Sequence, residues 1–153
     1  MKKIDIRPFS AECACRIAEI EAQCFGQNAW SKFAVLDAAL REDFIILCAF
    51  DGEKCVGYAD AFFVLDEMDI CNVAVDAAYR REGIGSMLLA SLLGWARENG
   101  IRSATLDVRP SNAAAKSLYE KHGFMKIGTR RDFYKFPRED AEIYEANLSE
   151  TGK

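Results

Sequence analysis

Val73-Ala74-Val75-Asp76-Ala77-Ala78-Tyr79-Arg80-Arg81-Glu82-Gly83-Ile84-Gly85-Ser86-Met87-Leu88-Leu89 is the stretch on which the fold turns. It begins as an apolar strand, passes through a short basic loop with two glycines, and enters a helix with an apolar face. Gly83 and Gly85 lack Cβ, so the main chain there can take unusual dihedrals and come close to a bound molecule. Amides at a helix start have no partner within the helix and sit at the positive end of its dipole. Such a loop is a ready anion site suited to a pyrophosphate, and Arg80 and Arg81 add full charge beside it. A dinucleotide fingerprint would need a third small residue three positions after Gly85, where this chain has Leu88.

Upstream of this motif, Lys2 to Pro8 alternates and reads as a first strand. Ser10 is placed to cap a helix running to about Cys24, and Ser31 to cap a second one through about Leu40. Between them lies a loop with two aromatics, Phe25 and Trp30. Phe44 to Phe50 is almost wholly apolar, a buried strand. Asp51-Gly52 signals a hairpin turn, and Lys54 to Leu65 returns as the next strand, with Gly57 a bulge or close-approach point. Asp66 and Glu67 turn the chain into a fourth strand, Met68 to Val75. The acidic Asp66, Glu67 and Asp69 have the sign to attract a basic peptide, and nothing more specific is read from them.

Downstream, Met87, Leu88, Leu92, Leu93 and Trp95 make a broad apolar helix stripe that Asn99-Gly100 ends, with Gly100 in the left-handed position. Ile101 to Val108 is a strand, and Pro110 and Ser111 stop it and cap a helix from Asn112 to about Lys121. Phe124 to Thr129 is a strand, Arg130-Arg131-Asp132-Phe133-Tyr134 a basic-aromatic run, Pro137 to Asp140 a turn, and Ala141 to Leu148 the last strand. A frayed tail is expected from Ser149. The order is β-α-α-β-β-β-α-β-α-β-β, an α/β chain with a mixed sheet and helices on both faces. Strand–helix–strand after residue 70 implies a locally parallel pairing with a right-handed crossover. With no linker or repeat, residues 1–153 read as one domain.

The formal net charge of −4 argues against nucleic acid as the main partner. No apolar run approaches the roughly 18 residues that span a membrane. The six cysteines, Cys13, Cys15, Cys24, Cys48, Cys55 and Cys71, form no C-x-x-C pair, and His122 is the single histidine, so no metal site is expected. They read as reduced, largely buried thiols of a cytosolic protein.

A second block narrows the reading: Asp107-Val108-Arg109-x-Ser111-Asn112-x-x-Ala115-x-x-Leu118-Tyr119-x-x-x-Gly123-Phe124, followed by Arg130-Arg131-x-Phe133-Tyr134. Arg80-x-x-Gly83-x-Gly85 after Asn72-Val73-Ala74-Val75-Asp76 resembles the acyl-CoA pyrophosphate loop of the GNAT N-acetyltransferases. With the second block, residues from about 60 to about 148 resemble the bacterial ribosomal-protein-alanine N-acetyltransferases of that superfamily, which acetylate an N-terminal alanine. The resemblance implies acetyl-CoA as co-substrate and a peptide or protein N-terminus as acceptor, with a ribosomal protein as partner. It implies that Val73, Ala74 and Val75 present main-chain groups to the pantetheine arm, and that Arg81, Glu82, Gly83, Ile84, Gly85 and Ser86 wrap the pyrophosphate. Asn112 would bind the cofactor near its pantetheine, Tyr119 would be the general acid for the departing thiolate, and Asp107 would stand in the place of the general base. Phe25, Trp30, Arg130, Arg131, Phe133 and Tyr134 would line the acceptor groove, and His122 is assigned no catalysis.

The chemistry asks for these types. An N-terminal amine with a pKa near 8 is roughly nine-tenths protonated at pH 7 and must lose a proton before it attacks. A carboxylate takes that proton, directly or through a water. Main-chain amides of the fourth strand would stabilise the oxyanion, and a tyrosine hydroxyl would serve the thiolate. The family's base is usually glutamate, so Asp107 sets its oxygens roughly 1.5 Å further back and calls for a water relay or a raised pKa. Two alternatives stay open: the same chemistry on a small-molecule amine or a lysine side chain, and a non-catalytic acyl-CoA-binding domain.

Overall fold

The computed structural model describes residues 3–135 and 137–149. Its strands are β1 (Ile4–Pro8), β2 (Phe44–Asp51), β3 (Lys54–Val64), β4 (Glu67–Val75), β5 (Ser103–Val108), β6 (Met125–Lys135) and β7 (Arg138–Asn147). Its helices are α1 (Ala14–Phe25), α2 (Lys32–Ala39), α3 (Ile84–Glu98) and α4 (Ala113–Lys121), with 3-10 turns at Ala11–Cys13, Gly26–Asn28 and Ala77–Tyr79. Their order is the one expected. The expected strand start at Lys2 and the tail beyond Ser149 lie outside the described residues.

The strands form one sheet in the order β1-β2-β3-β4-β5-β7-β6. β1 to β4 pair antiparallel, β4 and β5 pair parallel, and β7 runs antiparallel between β5 and β6. Each face carries its own core. On one, Ile17 and Ile20 of α1 and Val35 of α2 pack on Ile46, Cys48 and Tyr58. On the other, Leu88, Leu89, Leu92 and Leu93 of α3 and Tyr119 of α4 pack on Ala59, Ala61, Met68 and Leu106. The split follows from strand alternation, which sends Tyr58 to one side and its neighbour Ala59 to the other.

Local signals placed several ends. Ser31 Oγ accepts from Ala34 N at 3.1 Å and starts α2. Gly52 takes φ +64° in a loop so tight that Asp51 pairs with Lys54, and Gly100 takes φ +79° after α3. Gly57 is the expected close approach, since a Cβ there would lie 3.0 Å from Ala74 O and 3.2 Å from Leu88 Cδ1. Two expected caps differ. Ser10 precedes a 3-10 turn and makes no side-chain cap, its Oγ lying 3.5 Å from Cys13 Sγ. Ser111 is one residue too early for α4: Asn112 Oδ1 accepts from Ala115 N at 3.1 Å, while Ser111 Oγ donates to Glu139 Oε1 at 2.9 Å.

The largest correction is at the sheet edge. β6 does not stop at Thr129 but runs to Lys135, and the expected turn over 137–140 is strand from Arg138. The basic-aromatic run is a bulge within β6: Arg130 pairs with Ala141 and Tyr134 with Glu139, so three residues stand opposite Asp140. Asp132 holds it at φ +55°, donating its N–H to Asp140 Oδ1 at 2.7 Å and accepting from Arg138 Nε at 2.6 Å. The cysteines are free, but Cys15 and Cys71 are exposed rather than buried. Cys13, Cys48 and Cys55, distant in sequence, place their sulfurs within 4.8 Å of one another in the α1-side core. Among the described residues no helix is long and apolar enough to cross a membrane.

Candidate active site

The site begins where two parallel strands part. β4 and β5 pair only from Glu67–Ser103 to Asp69–Thr105. Beyond that, β5 stays with β7 while β4 stays with β3, so a wedge opens along Ile70 to Val75. A bulge at Cys71, where Ala61 pairs with Ile70 and Asp60 with Asn72, bends β4 at the start of the wedge. Asp76 N donates to Val56 O at 2.8 Å, so by strand period Ala74 also turns its main-chain groups toward β3. The groups on the open edge belong to Val73 and Val75. Arg80 Nε already donates to Val75 O at 3.2 Å, and its Nη2 lies 3.2 Å from Cys24 Sγ.

At the end of that edge stands the N-terminus of α3. Gly83 is its cap residue at φ +81°, following Arg81 at φ +66°. Met87 N returns to Gly83 O at 3.1 Å, which leaves the amides of Ile84, Gly85 and Ser86 as the unpaired donors of the first turn. That turn holds no acidic residue, and Arg81, Glu82 and Gly83 are exposed. The Ile84 side chain is buried in the core. Gly85 sits where a Cβ would touch Leu118, Val73 and Val75, against the wedge itself. Ser86 Oγ and His122 Nε2 lie 2.8 Å apart, tying the start of α3 to the end of α4. Burial holds His122 below its usual value and therefore neutral.

A cleft at the wedge gathers residues from five elements, reaching from α1 on one face to α4 on the other. Glu21 and Phe25 of α1 and Trp30 from the following loop form one wall, with the Trp30 ring tilted 31° to that of Phe44 at 6.0 Å. Asp69 to Val73 of β4 form the floor, with Asp107 and Val108 of β5, Arg109 just after it, and Asn112, Ala115 and Tyr119 beside them. Phe133, Tyr134 and Lys135 of the β6 bulge close the far side, with Arg109 Cζ 4.1 Å from the centre of the Tyr134 ring.

Burial pushes the Tyr119 hydroxyl up to about 12, so it stays protonated. Asp107 Oδ1 accepts from Arg130 Nε at 3.0 Å; Arg109 pairs with Glu139. Arg131 is exposed on the bulge and stands outside the cleft wall. Although Cys71 reaches solvent, desolvation of its thiol and the neighbouring Asp60 and Asp69 push it up to about 12.

The model of the acetyltransferase (GNAT) family matches residues 14–124, which span the wedge, the α3 loop and Tyr119. The chain belongs to the GNAT acetyltransferase family. The [ribosomal protein bS18]-alanine N-acetyltransferase of Escherichia coli K12 is 41% identical over 98 residues, covering 63% of this chain and 66% of that protein, just under two thirds of its length. The same-named enzyme of Haemophilus influenzae is 34% identical over 131 residues, 84% of this chain and 88% of that protein. The crystal structure of the ribosomal-protein-S18-alanine N-acetyltransferase from Escherichia coli superposes with a TM-score of 0.88 at 31% identity, over 99% of this chain and 97% of that one.

The cleft of this GNAT chain also holds polar residues that the sequence did not single out. Glu21 is 1% exposed, its Oε1 accepting from Trp30 N at 2.8 Å and its Oε2 from the Tyr58 hydroxyl. It is thus the brace of the aromatic wall, and burial raises its carboxyl above the usual range. Asp60 is fully buried behind the floor, and its Oδ1 is the one buried side-chain oxygen among the described residues with no partner. An acidic residue on an otherwise apolar helix face was the available signal for Glu21; for Asp60 it was a carboxylate in an unbroken apolar strand.

Proposed function

We propose that this GNAT enzyme transfers acetyl from acetyl-CoA to the α-amine of a protein N-terminus, with the N-terminal alanine of a ribosomal protein as acceptor. The parting of β4 from β5 carries the reading, because it leaves strand-edge donors and acceptors beside a helix N-terminus. Val73 and Val75 meet the amides of the pantetheine arm as a missing strand would, once the Arg80 side chain releases Val75 O. The amides of Ile84, Gly85 and Ser86, with Arg81, Glu82 and Gly83, cradle the pyrophosphate. Asn112, beyond capping α4, stands on the cleft wall within reach of the same arm.

The acceptor enters between the Phe25–Trp30 wall and Tyr134. Carboxylates there favour its ammonium, with Asp107 positioned by Arg130. Tyr119, protonated, offers its hydroxyl to the leaving sulfur. Transfer is direct: Cys71 is the cysteine on the cleft wall, and a thiol held up to about 12 supplies almost no thiolate near neutrality. The test is incubation with acetyl-CoA and peptides that differ in their first residues, read by mass spectrometry. Alanine-first peptides should be acetylated on the α-amine. Reaction only with lysine side chains or free polyamines would overturn the acceptor assignment.

A further inference from the structure

Cys13, Cys48 and Cys55 stand far apart in the chain, and none of them lines the cleft. Cys48 lies on β2 opposite Tyr58 and shares its α1-side face. Cys55 is three residues before Tyr58, so strict strand alternation would turn it to the other face. A bulge intervenes: Ala49 pairs with Gly57 and Phe50 with Cys55, which leaves Val56 as the extra residue. Val56 joins the α3-side core, and Cys55 comes onto the α1 side with Cys48. Cys13, where the 3-10 turn meets α1, packs into the same core. The three sulfurs lie within 4.8 Å of one another, and all three side chains are buried.

We propose that this trio is a binding site for trivalent arsenic, which all three thiols ligate together. The site stands apart from the acetyl-transfer cleft and needs no acceptor. Ligand number and charge select the occupant. Zinc takes four ligands in a closed protein site, and among the described residues no fourth His, Cys, Asp or Glu joins the group. Three thiolates around a monovalent or divalent soft ion would leave net negative charge among Ile17, Ile46 and Tyr58. The Arg16 guanidinium reaches Cys55 O at 3.0 Å, but it already pairs with Asp76 and Glu19. Three thiolates around trivalent arsenic are neutral, and they complete its coordination. Arsenous acid, the form of arsenite near neutral pH, is small and uncharged. The exposed residues Ser10 to Glu12 lead directly into Cys13, so local opening of that short turn admits it.

The exchange balances without an oxidant. Arsenous acid carries three hydroxyls on arsenic. Three As–O and three S–H bonds break, three As–S bonds form, and each hydroxyl leaves with a thiol proton as water. Arsenic stays trivalent, and no sulfur changes oxidation state. The product ties the start of α1 to β2 and β3. The folded chain holds the three sulfurs together in advance, whereas the unfolded chain must close two loops to assemble them, so binding favours the fold.

The full chain, reduced with a phosphine and incubated with arsenite, should retain one arsenic per chain after gel filtration, counted by elemental mass spectrometry. X-ray absorption at the arsenic edge should show three As–S bonds and no As–O bond. Arsenite at about 100 times its Kd should raise the melting temperature by about 5–10 °C. Cys13→Ala, Cys48→Ala and Cys55→Ala should each weaken arsenite binding by about 100-fold or more, since each removes one arm of the chelate. A chain carrying both Cys15→Ala and Cys71→Ala, at the exposed cysteines, should bind arsenite as wild type does. Zinc, short of a fourth ligand, should bind about 100-fold more weakly than arsenite or worse. Absence of retained arsenic, only two As–S bonds, binding that survives the trio substitutions, or zinc bound as tightly as arsenite would each overturn the proposal. The absorption measurement uses the unsubstituted protein, so it decides even where an alanine variant does not fold.

Discussion

Glu21 ties three elements together behind the aromatic wall of the cleft, and replacing it separates its structural contribution from its charge. In Glu21→Ala the Trp30 N–H, held at 2.8 Å, and the Tyr58 hydroxyl both lose their acceptor inside the α1-side core. An unmade hydrogen bond at a buried donor costs about 1–3 kcal/mol, so the pair and the small cavity should cost about 3–5 kcal/mol. For a chain of this length that lowers the melting temperature by about 6–20 °C. Glu21→Gln keeps the volume and one acceptor oxygen and should cost about 1–2 kcal/mol. The two also differ from wild type in pH dependence. The folded pKa of Glu21 is raised by burial, so its contribution is fullest below the ordinary glutamate value and is lost as pH rises through the raised one. The stability gap between wild type and Glu21→Gln should therefore narrow as pH rises above the ordinary glutamate value. Urea unfolding followed by far-UV circular dichroism across that range measures it. An alanine variant within about 1 kcal/mol of wild type, or a gap that widens with pH, would refute the reasoning. Because the freed loop carries Trp30, the acceptor KM should rise more than the acetyl-CoA KM.

Gly83→Ala meets no atom within 4 Å but must hold φ +81°, so it should cost about 1–2 kcal/mol and raise the KM for acetyl-CoA; an unchanged melting temperature would contradict the strain. Gly57→Val presses on Ala74 O and Leu88 Cδ1 and should destabilise by about 1–3 kcal/mol while weakening acetyl-CoA binding, measured by calorimetry. Tyr119→Phe should lower kcat by about 100-fold with little change in melting temperature. Since burial pushes that hydroxyl up to about 12, wild-type turnover should show no loss from its ionisation up to about pH 10, and an alkaline limb that Tyr119→Phe removes would count against it.

Much was legible because it is written in neighbouring residues. Ser31 three positions before Ala34, Gly52 after Asp51, and Gly100 after the α3 stripe each mark an end by local geometry. The block from Val73 to Leu89 carries strand end, glycine loop and helix start within one continuous segment, so its place at the wedge follows from order alone. The Arg130–Tyr134 run was misread for the opposite reason. Its strand is kept by Asp132 reaching Asp140 and Arg138 across the hairpin, contacts that exist only once β6 and β7 are in register.

Element order and the two glycines at the start of α3 were therefore legible in local chemistry. What no linear pattern contains is which distant side chains share a cleft. Asp69 sat among turn acids until β4 and β5 paired once more and then parted, setting it beside Asp107. Glu21 became a brace because α1 lies across Tyr58 and Trp30. Backbone preferences act over a few residues, whereas burial and charge proximity depend on chain segments meeting in space, and only the packed sheet brings them together.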